Sequence, residues 1–141
     1  MIIKKSLFTS SGISILTIIS VLALLLVVLM IVVANINLRQ KQSRDELRIK
    51  HLEIIGLAQV YYFNQHQQYG MLTDLYQDEI IKQQYLDPAS GDNYKIFLNV
   101  LADEWCTWSA SEAEDNKFYI QTEQGPGVIN KQPINLATCK E

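Results

Sequence analysis

The chain has 141 residues, 48% of them apolar and 19% charged, with a formal net charge of −3, which leaves room for one small domain beside a membrane segment. The charge is unevenly placed: residues 39–50 carry a net +3, and the residues from His51 onward a net −8. The acidic C-terminal part argues against nucleic-acid binding there, because gripping phosphates takes clustered Lys and Arg; the basic stem is where any DNA contact would fall.

Residues 13–33 form a block of 21 residues without charge or proline, sixteen of them Ile, Leu or Val. As a helix this block spans about 30 Å, the thickness of a bilayer core. Its aliphatic side chains outweigh Ser14, Thr17 and Ser20 on an insertion scale. It is longer than the roughly 7–15 apolar residues of a cleaved secretory signal, and no small-x-small site follows it, so the pattern predicts a retained single-pass span over residues 13–36. Lys4 and Lys5 precede the span, whereas Arg39, Lys41, Arg44, Arg48 and Lys50 follow it, and the positive-inside rule taken alone would keep the C-terminal part in the cytoplasm. Cys106 and Cys139, the chain's two cysteines, point to one disulfide in an oxidising compartment, and a head this small gains from such a staple. We expect the head to be extracytoplasmic, on a protein of the cytoplasmic membrane.

The helix continues past the span. Between Leu38 and Gln67 there is no proline and one glycine, Gly56, and Leu47, His51, Ile54, Ala58 and Tyr61 recur at helical steps, with Ile55 and Tyr62 widening the stripe. The pattern predicts an amphipathic continuation over residues 37–70, ended by Gly70, so that span and continuation make one helix of about 55 residues and on the order of 80 Å. Residues 71–141 form the head. Thr73 is placed to cap a short helix over residues 74–83, and "DPASGDN", residues 87–93, reads as a turn. Strand-like runs follow at 94–100, 105–110 and 117–122, with links short enough for antiparallel neighbours. Ile96 and Leu98 alternate with Lys95 and Asn99, giving a sheet with one face buried against the helical stripe. The fold class is therefore α+β: a long N-terminal helix on a small antiparallel sheet of three to four strands. Trp105 and Trp108 have opposite parity, which makes one of them a candidate exposed aromatic. The tail from Gly125 has little period and reads as a loop clamped back by Cys139.

Several of these stretches together resemble one family. A Lys-bearing leader, Gly12 ahead of an apolar helix, "RDELRIKHLEIIGLAQVYYFNQHQQYG" at residues 44–70, "YLDPASGDNYKI" at 85–96 and a late cysteine pair are similar to type IV pilins and the pseudopilins of type II secretion, over nearly the whole chain. The resemblance implies a pilin-like fold and a leader over residues 1–12. It implies that a prepilin peptidase cuts between Gly12 and Ile13, and that Ile13 is then methylated. It further implies that an inner-membrane assembly platform, membrane lipid and other pilin or pseudopilin subunits are the partners. The family places a glutamate five residues after the cut, where this chain has Thr17; a carboxylate in lipid is costly until it pairs with a neighbouring amino terminus, and Thr17 carries no such cost. That departure points to a minor subunit, one at a filament tip, or a pilin-like protein that does not assemble. Ala34 and Gly70 stand where many pilins have proline.

No catalytic set is legible. His51 and His66 read as packed or boundary histidines, without ligands at zinc spacing, and no nucleophile elbow or phosphate loop appears. We expect a non-enzyme without a cofactor. Asp87, Asp92, Asp103 and Glu104 are weak calcium candidates, as carboxylates on neighbouring loops, although their spacing is not that of an EF-hand. Two functions are consistent with the sequence: a structural subunit of a pilus or pseudopilus, serving secretion, adhesion, motility or DNA uptake, and an unprocessed, membrane-tethered extracytoplasmic binding module.

Overall fold

The computed structural model describes residues 15–140. The expected leader and the Gly12–Ile13 junction lie outside them. The first helix, α1, runs Ile15–His66, and the described residues divide into two compact units after Asn37.

In the first unit every described side chain is exposed, and α1 there is long and apolar enough to cross a membrane. A helix that is aliphatic on all sides has no polar face to turn to water, which is the pattern of a lipid-facing span. The Ser20 hydroxyl donates to the carbonyl of Thr17 at 2.9 Å, so one of the block's few polar side chains is satisfied within the helix itself.

In the second unit α1 packs on an antiparallel sheet of four strands in the order β1-β2-β3-β4: β1 Ile96–Leu98, β2 Trp105–Ala110, β3 Phe118–Thr122 and β4 Gly125–Ile129. The α+β layout is the one expected, with corrections at its edges. The tail read as a loop supplies β4, which pairs Gly127 with Ile120 and Val128 with Tyr119, and a short helix α3, Leu136–Cys139. Gly125, at φ +115°, adopts the left-handed backbone that a tight β3–β4 turn needs; the glycines and proline that suggested a loop are turn and edge-strand residues. The short helix α2 is Leu72–Gln77, and its first turn is closed by the Asp74 carboxylate accepting the Met71 N–H at 2.7 Å, not by Thr73.

The sheet buries both faces rather than one. Towards α1 lie Ile96, Leu98 and Trp105, forming one core with Leu52, Ile55, Tyr62 and Leu75. On the opposite face Cys106, Trp108 and Ile120 pack beneath Ile129, Leu136 and Cys139, so the C-terminal segment is the sheet's second cover. Trp105 and Trp108 thus face opposite ways as their parity requires, but neither is exposed: Trp105 is buried and Trp108 half-buried.

The helical stripe is also rotated from the expected one. Asp45, Arg48, Leu52, Ile55, Gly56, Ala58, Gln59 and Tyr62 are buried, while Leu47 and Tyr61 are exposed and His51 and Ile54 half-buried. The helix stops at His66, with Gln67 taking the left-handed position after it at φ 57° and bonding back to the Phe63 carbonyl at 2.8 Å, the αL termination expected here of Gly70. Gly70 instead sits buried against the Tyr62 ring, where a Cβ would come within 3.0 Å. The fully buried Gln59 carboxamide holds the Gly70 backbone in both directions, accepting from its N–H at 3.0 Å and donating to its carbonyl at 2.6 Å. Gln59→Met keeps the volume and orphans both groups; it is expected to cost about 2–4 kcal/mol, measured as a fall in the thermal midpoint of the full chain in detergent.

Candidate functional site: the charged clasp and the apolar groove of the head

Asp45 and Arg48 are three residues apart, so they project from one face of α1, and both are buried. Arg48 grips Asp87 through two parallel bonds, Nε to Oδ2 at 2.6 Å and Nη2 to Oδ1 at 2.9 Å, the bidentate fork that guanidinium geometry favours. It also bonds Asp45 at 2.7 Å and Glu112 at 2.5 Å, and Arg44 closes on Glu112 from outside at 2.6 Å. Asp45 in turn accepts from the Ser111 hydroxyl at 2.6 Å and from the backbone N–H groups of Glu112 and Ala113. One turn of α1 is thereby bound to the 87–93 turn and to the loop after β2. That turn is itself knotted by Asp87 Oδ1, which accepts from the N–H groups of Ala89 and Ser90, with Gly91 at φ +74°.

The charges are mutually supporting. Hydrogen bonds from Arg48 hold the Asp87 carboxyl far below the usual range against the upward push of burial. Burial pushes Asp45 up, but its bonds from Ser111, the two backbone N–H groups and Arg48 outweigh that and leave it lowered. Arg44 lowers Glu112. Nearby, His51 Nδ1 lies 3.1 Å from the Tyr94 hydroxyl and its ring packs on Tyr85; burial lowers its pKa, the environment of a packed neutral histidine. His66 is exposed, bonds Asp78 at 2.7 Å and stacks on Tyr62.

The four calcium candidates are not brought together. Asp87 belongs to the clasp, Asp92 is an exposed turn residue whose carbonyl accepts the Asp87 N–H, Asp103 bonds Asn99 and Glu104 pairs with Lys140 at 3.2 Å. Among the described residues there is no group of three or more His, Cys, Asp or Glu placed to hold a metal. Cys106 and Cys139 are bonded to each other. Thr17 stands exposed on the apolar part of α1.

The head also carries a groove of about 650 Å³ between α1 and the β3–β4 hairpin, walled by Ile49, Leu57, Val60, Tyr119 and Val128, with Trp105 and Gln121 also lining it. Gly56 lets the sheet come this close, since a Cβ there would meet the Gln121 side chain at 2.9 Å. Such a mostly apolar concavity with a few polar groups is the ordinary form of a binding site.

Sequence reasoning missed the clasp because it followed apolar residues alone. The spacing 45, 48, 52, 55, 59, 62 is an unbroken helical stripe, and its signal was a pair of opposite charges and a glutamine sitting on it. Comparison of the chain with known proteins finds no matching family model, no matching curated protein and no matching solved structure.

Proposed function

We propose that this chain is a pilin-like structural subunit of a type IV pilus or type II secretion pseudopilus, anchored in the cytoplasmic membrane with its head outside and assembling through its N-terminal helix. The observation that carries this reading is a single helix whose first part is aliphatic on every side and whose later part is the spine of a small disulfide-tied α+β head. Lipid covers the first part before assembly and neighbouring helices would cover it afterwards. The role is structural rather than catalytic.

Mass spectrometry of the protein from membranes tests the proposal: loss of residues 1–12 is expected, and an intact amino terminus overturns it. Thr17→Glu restores a carboxylate able to pair with a neighbouring amino terminus in lipid, and is expected to raise the chain's yield in sheared filaments severalfold; an unchanged yield counts against a specialised position for this subunit. A second reading, a tethered and unprocessed binding module, is favoured by the groove of about 650 Å³ and predicts the intact amino terminus.

A further inference from the structure

The sheet has two edges, β1 and β4, and they are not equivalent. At β1 the Asn99 N–H donates to the Glu104 carbonyl at 3.2 Å, in the register that pairs Leu98 with Trp105 and Phe97 with Cys106. Bonded and non-bonded pairs alternate along an antiparallel ladder. Phe97 therefore turns its N–H and C=O towards β2, and Ile96 and Leu98 turn theirs out of the sheet. None of these four outward groups has a partner among the described residues. At β4 the Ser111 N–H donates to the Lys117 carbonyl, and the same alternation, carried through β3, puts Pro126, opposite Gln121, at an outward position. A proline there has no N–H to offer a further strand, so the β4 edge is blunted and the β1 edge is not.

A neighbouring segment begins to cover the β1 side and then leaves it. Leu86 bridges Asn93 and the Asp87 N–H donates to the Asp92 carbonyl at 2.9 Å, so residues 86–87 run antiparallel to 92–93. One step back along the chain, Tyr85 gives its N–H to the Tyr76 hydroxyl at 3.1 Å instead of to a strand. Where this segment turns away, a groove of about 890 Å³ lies between α2 and β1, with Met71, Leu72 and Tyr76 on one wall and Tyr94, Ile96 and Phe97 on the other. Met71 is exposed, and Tyr76 and Phe97 are half-buried.

We propose that this groove takes an extended segment of another polypeptide, which joins the sheet as a strand beside β1. Donors and acceptors recur along the edge every two residues, about 7 Å apart, and that spacing is matched by another backbone and not by a lipid chain. Backbone pairing supplies the affinity, and the wall beside it receives alternate side chains, here an aliphatic or aromatic one against Met71 and Tyr76. The partner segment is one without a strand partner of its own, a terminus or a loop. A second copy of this chain fits less well, because its β4 edge carries Pro126 and its β1 edge stands behind its own α2. The inference comes from the sheet edge and does not rest on the filament reading.

The test selects short random peptides on the full-length chain in detergent, and the recovered peptide is synthesised with alternate amides N-methylated in each of the two phases. One phase is expected to weaken binding about tenfold or more, through the lost backbone bonds, and the other to leave it intact, since a strand turns half of its N–H groups to its neighbour. Amide exchange at Ile96 and Leu98 should slow with the peptide bound, and that of Phe97, already bonded to β2, should not. Thr73→Trp, an exposed groove residue, is expected to abolish binding with the thermal midpoint unchanged. Recovery of no binding peptide, equal effects of the two N-methylated phases, or unchanged exchange at Ile96 and Leu98 overturns the proposal. So does slowed exchange there with rising protein concentration and no peptide, which would assign the edge to a second copy.

Discussion

Arg48→Ala is expected to lower the stability of the head by about 3–5 kcal/mol, the loss typical when one partner of a buried ion pair is removed and the other stays buried. Three carboxylates, Asp45, Asp87 and Glu112, share this guanidinium, and Asp45 and Arg48 are almost fully buried. Arg48→Lys keeps the charge but cannot reproduce the fork on Asp87, so an intermediate loss is expected. Thermal unfolding of the full chain in detergent measures both, and a midpoint unchanged in Arg48→Ala would remove the clasp as a stabilising element.

The same cluster fixes the pH dependence. Asp87, Asp45 and Glu112 all titrate below their ordinary values in the folded head. Near and below the unfolded carboxylate values of about 4 the unfolded chain therefore binds more protons than the folded one. The contribution of the three is fully present above that pH and is lost as pH falls through the lower folded values. The thermal midpoint of the native chain should fall steeply on acidification below about pH 4, and less so in Arg48→Ala, whose carboxylates have lost the partner that depresses them.

Cys106→Ala with Cys139→Ala is expected to cost about 3–4 kcal/mol, the chain-entropy value for a loop of this length at a sequence separation of 33. The bond ties the middle of the sheet to the segment that covers its far face, where Trp108, Ile120, Ile129 and Leu136 pack around the two buried sulfurs. Hydrogen exchange should therefore rise first in residues 130–140 and in β4, with β1 and α1 slower to respond. A midpoint equal to that of the native chain would remove the stapling role.

Much of this architecture was legible because it follows from local pattern. The aliphatic block, the amphipathic continuation, the 87–93 turn and three of the four strands each declare themselves in a window of ten to twenty residues, where period and turn chemistry decide. Where the reading failed, a distant residue decided. The tail looked like a loop because Gly125, Pro126 and Gly127 suit a turn; it is β4 because the β3 edge offers it a ladder. Thr73 looked like a cap, yet Asp74 reaches the Met71 N–H. Asp45 and Arg48 entered the sequence reading only as part of the stem's net charge, and their burial depends on Asp87 and Glu112, which are 39 to 68 residues from the stem arginines they bind.

By itself the sequence determined that one helix of this chain is fit for lipid, that the following residues form a small α+β head, and that two cysteines are available to staple it, because hydrophobic length, period and composition are properties of the chain. Tertiary structure alone decided which face of α1 is buried, that the C-terminal segment becomes the second cover of the sheet, and where the unpaired charges and exposed apolar residues end up. Those outcomes rest on partners far apart in sequence, and a buried charge is stable only when such a partner has been brought to it.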